Sequence, residues 1–227
     1  MNRITVIFHC LTATVLCILL AGCAIGTPRD LVRGKGYQPQ NVFVATNGLP
    51  SDLRRVAMLP TSCDESDSVL VDGRNELQPI LMEQLIKTKK FEVVSANSDA
   101  LKTRLTRADW SSEEPLPPDL LALLQQQSGC DAVMFSRLTV FRAYPPLEVG
   151  WRMRLVDVRT GHTLWAADEI FNGGEISVDN GARRHQLTEE RVPSGAPDEW
   201  FIRNSPDKFG EYTAARLLAT LPPRQPQ

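Results

Sequence analysis

Hydrophobic residues in the middle of the chain occur either in short compact runs or at helical spacing. Compact apolar runs are typical of buried parallel strands, and apolar residues three or four positions apart are typical of helices that pack on a sheet. Strands are predicted at 54–60, 91–95 and 130–143, and helices at 76–90, 98–105 and 118–129. The pattern therefore predicts a β-α-β-α-α-β unit of an α/β fold.

The segment that follows this unit, 148–158, alternates with a period of two. Trp151 and Leu155 fall on one face of the predicted strand, and arginines fall on the other. Such alternation is typical of a strand with one buried face. A turn containing Gly161 and a return strand over 163–171 complete a predicted antiparallel hairpin.

Polar residues mark the predicted helix starts. Asn75 and Gln78 form a candidate capping box for the first helix, and Ser98 is a candidate cap for the second. Ser205 precedes a proline, which suits the first position of a helix, so a C-terminal helix is predicted over 205–221.

The amino-terminal 22 residues hold one charged side chain, Arg3, followed by an apolar run over 4–20. A short basic start, an apolar run and small residues are typical of a secretory signal. The sequence LAGC at 20–23 resembles the bacterial lipobox, in which the cysteine thiol receives a diacylglycerol and a peptidase cuts before it. An uncleaved membrane anchor that ends at a chance cysteine is the alternative.

On the lipobox interpretation, Cys23 is the first residue of the mature protein and carries acyl chains that tether it to a membrane. Ala24, rather than an aspartate, follows the cysteine, which favours the periplasmic face of the outer membrane by the enterobacterial sorting rule. We therefore expect a lipid-anchored protein of the cell envelope, with lipidation at Cys23.

The chain then divides into four predicted regions. These are a signal peptide over 1–22, a tether over 23–50, a single α/β domain over 51–221 and a disordered tail over 222–227. The tether is assigned because glycine, proline and asparagine replace any clear periodicity there. Residues 41–45, NVFVA, are the exception, since they are suited to a short strand at a sheet edge.

Cleavage of the signal and lipidation of Cys23 would reduce the number of free cysteine thiols. Cys10 and Cys17 lie in the predicted signal, so Cys63 and Cys130 are the thiols that remain after lipidation. A disulfide between them is one alternative in an oxidising envelope. Cys63 follows the first predicted strand and Cys130 precedes the third, so parallel strands place them beyond the roughly 7 Å reach of a disulfide. We expect two buried free thiols.

Several positions between 54 and 171 match a pattern of structural residues. The pattern is an apolar strand ending in proline, a Gly-x-Asp before a later strand, and a hairpin of the form strand–Asp–x–x–x–Gly–strand with a tryptophan. Here those positions are Pro60, Gly129, Asp131, Asp157, Gly161 and Trp165. This order resembles a group of bacterial envelope lipoprotein domains that includes the TolB amino-terminal domain, the curli secretion lipoprotein and the lipoprotein activators of penicillin-binding proteins.

The resemblance implies a fold and a general kind of function. The group's fold is an α/β sandwich like the anticodon-binding domain, here a three-layer-type arrangement with an antiparallel hairpin and a C-terminal helix. Members of the group bind other proteins and assemble envelope machinery. The shared positions are structural, so the resemblance names no partner.

Charge and histidine positions give little support to other functions. The chain has 25 basic and 27 acidic residues, which is not the footprint of a nucleic-acid-binding protein. His9, His162 and His185 form no HExxH motif or paired spacing, so neither a metal site nor a cofactor is predicted, and we expect no enzyme activity. The acidic stretch 63–72 follows a strand but lacks the regular spacing of a calcium loop.

Two surface segments are candidate contacts. Tyr144, Pro145 and Pro146 interrupt the strand pair, either as a rigid loop whose tyrosine packs locally or as a contact for a partner protein, since rigid aromatic residues favour hot spots. The stretch 183–185, Arg-Arg-His, is either a solvated patch or a contact for an anionic partner or glycan.

The leading hypothesis is a non-enzymatic, lipid-anchored envelope protein that binds another protein during assembly, secretion or cell-wall work. The alternative is an accessory lipoprotein of a transport system that binds a ligand or glycan, and an envelope hydrolase comes third. A ligand-binding function predicts a pocket lined with aromatic residues at the carboxyl ends of the first and third strands.

Overall fold

The strands and helices follow the periodicity of the sequence closely. The computed structural model describes residues 34–45, 48–111, 113–189 and 201–225. The strands within them are β1 Val42–Val44, β2 Arg55–Met58, β3 Glu92–Ser95, β4 Ala132–Arg142, β5 Glu148–Asp157 and β6 Thr163–Asn172. The helices are α1 Ser68–Lys87, α2 Ser98–Leu105, α3 Leu120–Ser128, α4 Ile176–Glu189, α5 Phe201–Asn204 and α6 Pro206–Leu218.

All six strands belong to one mixed sheet with the order β1-β6-β5-β4-β2-β3. The strands β3, β2 and β4 are parallel, and β4, β5, β6 and β1 are antiparallel to their neighbours. The predicted α/β class is confirmed. The likeness to the anticodon-binding fold stays a prediction.

Helices cover the sheet on both faces. In β4, Met134 and Leu138 belong to one hydrophobic cluster, while Val133 and Phe135 belong to a second, because successive side chains alternate across a strand. The first face is covered by α1 and α6, which pack against each other, and the second by α2 and α3.

The hairpin places its tryptophans on the first face, as its alternation predicts. Trp151 and Trp165 are both fully buried. The Trp151 indole N–H donates to Oγ1 of Thr213 at 3.0 Å, and the Trp165 indole N–H donates to Oγ1 of Thr220 at 3.1 Å. Each buried indole therefore has an acceptor, and these hydrogen bonds tie the C-terminal helix region to the sheet.

Part of the predicted tether, and part of the predicted tail, belong to the folded domain. The strand β1 pairs with the outer edge of β6, as the NVFVA segment suggested. Leu49 is fully buried and its backbone exchanges hydrogen bonds with Pro223 and Gln225. The compact unit accordingly includes the chain from Gly34, because β1 covers an edge of β6 that would otherwise be unpaired.

The first helix starts earlier than its sequence indicates. The N-cap is Asp67, whose side chain accepts the backbone N–H groups of Val69 and Leu70, so Asn75 is not a cap. Pro79 lies inside the helix rather than near its start. The extra turns are stabilised by packing, since a Cβ atom at Gly73 would lie only 2.4 Å from the ring of Phe141.

The two thiols lie in different parts of the core. Cys63 and Cys130 are free and buried, the first in the first-face cluster and the second in the second-face cluster. The signal peptide and Cys23 lie outside the described residues. Among the helices that the structure describes, none is both long enough and apolar enough to cross a membrane.

Candidate protein-binding groove

An apolar groove lies between the loop that joins β4 to β5 and the helices that follow β6. Its volume is about 440 Å³. We call it the proline-loop groove; it is lined by Pro145, Pro146, Leu147, Gly173, Gly174, Ile176, Asp179, Ala182, Ile202, Arg203 and Phe209. Three separate parts of the chain thus meet at one site.

The floor of the groove belongs to the hydrophobic core. Leu147, Ala182, Ile202 and Phe209 are each 1–2 % exposed and are members of the first-face cluster. Because a core residue is held by many neighbours, this floor is fixed rather than formed on contact. A partner side chain that enters the groove would therefore meet a preformed apolar surface.

The loop that joins β4 to β5, residues 143–147, which we call the proline loop, is held in place at both ends. Arg142 and Glu148 are opposite each other across β4 and β5 and form an ion pair at 3.4 Å. Nε of Arg142 also donates to the carbonyl oxygen of Pro146 at 2.6 Å. On the other side, the backbone N–H of Gly173 donates to the carbonyl of Leu147 at 2.8 Å. These contacts make the loop a fixed wall of the groove.

The turn after β6 lets helix α4 approach the proline loop. The side-chain oxygen of Asn172 accepts the backbone N–H of Gly174 at 2.8 Å. A Cβ atom at Gly174 would lie 3.1 Å from that oxygen and 3.4 Å from Pro146. The absence of a side chain at Gly174 therefore keeps this wall close to the loop.

A charged pair lies on the rim of the groove. Arg203 of α5 contacts both carboxylate oxygens of Asp179 of α4, with its Nε 2.5 Å from Oδ1. A bidentate arginine–carboxylate pair has a fixed geometry. Here it joins two of the helices that form the groove and places a polar edge beside an apolar floor.

The two most exposed large apolar side chains of the described residues are either in the groove lining or next to it in sequence. Ile176, which lines it, is 80 % exposed, and Tyr144, which directly precedes Pro145, is 79 % exposed. The other large apolar residues with high exposure reach only 53 %. Large exposed apolar residues beside an apolar groove are typical of a protein-interaction surface.

A second crevice lies at the carboxyl end of β2, where a ligand-binding function predicted an aromatic pocket. It measures about 690 Å³ and is lined by Ser62, Cys63, Asp64, Glu65, Arg107, Asp109, Ser111, Glu113, Glu114 and Arg137. None of these residues is aromatic. Burial raises the pKa of the Cys63 thiol, which disfavours the thiolate that a nucleophile would need.

The sequence identified only one wall of the groove. Pro145 and Pro146 line the groove, and Tyr144, which directly precedes them, is exposed rather than packed locally. Ile176 and Phe209, in contrast, were not predicted as site residues. The sequence feature that could have indicated the site is Ile176, an isoleucine in an otherwise polar segment, since an isolated apolar residue of this kind is not expected to pack in the core.

Residues of the Gly-x-Asp and hairpin patterns stabilise the fold through hydrogen bonds. The carboxylate of Asp131 accepts the backbone N–H groups of Arg54 and Arg55. One oxygen of Asp157 accepts the backbone N–H of Thr160 at 2.8 Å, and Gly161 has a φ of +70° that favours glycine in this turn. None of these residues lines the proline-loop groove.

No protein-family model matches the sequence, and no curated protein matches it. The fold is similar to solved structures at low identity. One is the PelC dodecamer from Paraburkholderia phytofirmans, at 12% identity and a TM-score of 0.39, covering 77% of this chain and 95% of that one. Another is the lipoprotein GNA1162 from Neisseria meningitidis, at 17% identity and a TM-score of 0.39, covering 63% and 99%.

A third similar structure is the C-terminal domain of LpoB from Salmonella enterica, at 15% identity and a TM-score of 0.36, covering 64% of this chain and 93% of that one. LpoB is a penicillin-binding-protein activator lipoprotein. The similar structures thus include members of the envelope lipoprotein group that the sequence resembles.

Proposed function

We propose that this protein is held at an envelope membrane by acyl chains on Cys23 and binds another envelope protein through the proline-loop groove. The binding is non-enzymatic. The observation that carries the proposal concerns the two most exposed large apolar side chains described: Ile176 lines a groove whose floor is core, and Tyr144 directly precedes the groove residue Pro145.

The groove has the features of a binding surface whose shape is fixed before the partner binds. Its loop wall is fixed by Arg142, and its helical walls are joined by the Asp179–Arg203 pair. Preorganised walls lower the entropy lost on binding. The occupant that fits is an apolar side chain or short apolar segment of a protein, flanked by polar groups that match the charged rim.

The membrane anchor is supported by the sequence at 20–23. An anchor of this kind confines the domain to a membrane surface, so a partner in the same envelope is met at high effective concentration. A weak groove contact would then be sufficient for binding.

Site-specific crosslinking in the native host tests the proposal. A photoreactive residue is placed at 144 or 176, and matched controls carry it at Val69 and Ile86, which are 52 % and 53 % exposed on α1. The proposal predicts one defined protein adduct from both groove positions and none from the controls. Ile176→Asp should remove the adduct from position 144.

Two results would contradict the proposal in different ways. Adducts of equal yield from α1 and from the groove would show that the groove is not the binding site. A parent protein whose mass shows no acyl chains, or one that keeps residues 1–22, would exclude the acyl anchor.

A further inference from the structure

A pocket distinct from both the proline-loop groove and the crevice at β2 lies on the other side of helix α4, where the chain enters the domain. We call it the tyrosine–arginine pocket. It measures about 350 Å³ and lies between residues 36–38, α4 and α6. The side chains that concern its chemistry are Tyr37, Arg184, His185, Thr188, Tyr212 and Arg216. The sequence had left 183–185 open as a patch or an anion contact.

Several basic residue types line this pocket. Two arginines and a histidine contribute to it, and none of its described lining residues is an aspartate or glutamate. The neighbouring acid, Glu169, accepts the Tyr37 hydroxyl at 2.6 Å and the backbone N–H of Asn41 at 2.7 Å. Its oxygens thus bond to the entering chain, and neither forms an ion pair with Arg216.

Arg216 is the side chain of this pocket that is best placed to bind an oxyanion. Its Nε donates to the carbonyl oxygen of Tyr37 at 2.7 Å, which fixes the plane of the half-buried guanidinium. Within the described residues it forms no ion pair with a carboxylate, although many of the other arginines do. A fixed guanidinium with its terminal nitrogens available has the geometry that binds an oxyanion in a bidentate manner.

Tyr212 supplies an independent observation. The residue is 2 % exposed, and its hydroxyl is buried with no hydrogen-bond partner in the part of the chain that is described. The hydroxyl packs over the backbone of Gly181, since a Cβ atom there would lie 2.2 Å from it. A buried hydroxyl without a partner is costly, and an acceptor oxygen brought into the pocket would remove that cost.

We propose that the tyrosine–arginine pocket binds a phosphate-type oxyanion, with Arg216 as the principal ligand and Tyr212 as a second donor. Two sources carry this chemistry, namely a free phosphate ester and the phosphate of a lipid headgroup. The headgroup source rests on the proposed anchor, because Gly36 follows Cys23 by only thirteen residues. Thirteen residues span at most about 45 Å even when fully extended, which limits how far the pocket can lie from the proposed anchor.

Calorimetric titration of the full chain in a phosphate-free detergent tests the binding itself. Inorganic phosphate and glycerol 1-phosphate are the probes, at neutral pH and low ionic strength. The proposal predicts saturable binding that Arg216→Gln weakens by about tenfold or more, since a charge-assisted hydrogen bond is lost. Arg159→Gln is the matched control, because Arg159 lies in the hairpin turn with a 60 % exposed side chain.

A Tyr212→Phe variant tests whether weaker phosphate binding in the Arg216→Gln variant could result from misfolding. It keeps the ring packing with Phe171 and Phe209 while removing the hydroxyl, and it should weaken phosphate binding by several-fold. No saturable binding by the parent protein, or equal binding by the Arg216→Gln variant, would overturn the proposal. Neither result bears on the groove, so the two proposals fail separately.

Repeating the titration with the protein anchored in phospholipid nanodiscs distinguishes the two sources. If a headgroup phosphate occupies the pocket, glycerol 1-phosphate binds about tenfold or more weakly than in detergent, because it must compete. If a free phosphate ester is the ligand, the affinity is the same in both. Each outcome supports the oxyanion site and selects its source.

Discussion

Asp131 and Arg55 are joined by two hydrogen bonds at the start of two parallel strands. The N–H of Asp131 donates to the carbonyl of Arg55 at 2.8 Å, and one carboxylate oxygen of Asp131 accepts the N–H of Arg55 at 2.9 Å. The same oxygen accepts the N–H of Arg54 at 2.8 Å. The aspartate of the Gly-x-Asp pattern therefore ties β4 to β2 where both strands begin.

Replacement of Asp131 by alanine should destabilise the domain. It leaves two backbone N–H groups without their charged acceptor, and we expect a loss of about 1–3 kcal/mol in the free energy of unfolding. Urea unfolding measures this. Asp119→Ala is the matched control, because the Asp119 side chain makes no capping hydrogen bond. Equal losses in the two variants would contradict the structural role of Asp131.

Helix α1 offers a direct test of its true start. Asp67→Ala should lower the free energy of unfolding by about 1 kcal/mol, because the backbone N–H groups of Val69 and Leu70 lose their acceptor. Asn75→Ala, at the cap suggested by the sequence, should change it by less than about 0.5 kcal/mol. Thermal unfolding of both variants checks this, and the reverse order of effects would place the helix start at residue 76.

This helix shows which parts of the fold could be predicted from the sequence. The strands and the hairpin follow from local periodicity, as the alternation of Trp151 and Leu155 within β5 illustrates. The start of α1 does not, because Asp67 lies in a polar stretch where several residues qualify as caps. The capping-box spacing of Asn75 and Gln78 was the stronger local signal, and tertiary packing around Gly73 overrode it.

The groove could be predicted only in part, for a related reason. Tyr144, Pro145 and Pro146 are contiguous, so composition alone marks them as unusual. Ile176 and Phe209 reach the same site from separate helices, and no local pattern brings them together. Tyr37 is a similar case, since its place in the fold depends on the distant Glu169 and Arg216.

The contact between α1 and α6 depends on Gly210. Helix propensity alone favours alanine over glycine by about 1 kcal/mol. A Cβ atom at 210, however, would lie 2.4 Å from Cδ2 of Leu77, which is fully buried. We expect Gly210→Ala to destabilise the protein by about 1–3 kcal/mol through overpacking.

A double-mutant cycle identifies the cause of that loss. In a Leu77→Ala background the obstructing methyl is gone, so Gly210→Ala should cost nothing or stabilise the protein by up to about 1 kcal/mol. Free energies of unfolding from urea titrations of the four proteins give the coupling. Additive losses at the two sites would show that the close approach of the helices is not the reason.

The hydroxyl of Tyr212 should make stability depend on pH in the alkaline range. Burial raises the pKa of Tyr212 to about 12 from 10.0, with the Arg216 charge acting in the opposite direction. Between these values the unfolded chain releases a proton that the folded protein keeps. Unfolding is thus favoured as pH rises, and this residue removes about 1.4 kcal/mol of stability per pH unit.

Tyr212→Phe removes this dependence of stability on pH. The variant also separates the effect of Tyr212 from that of Tyr37, whose pKa is likewise raised, mainly by burial. In phosphate-free buffer at pH 7 the variant should be as stable as the parent or more stable by about 1 kcal/mol, because a buried hydroxyl without a partner is lost. Its advantage should then grow from pH 10 to pH 12. A parallel decline of both proteins in thermal unfolding over that range would show that the Tyr212 hydroxyl titrates normally when folded.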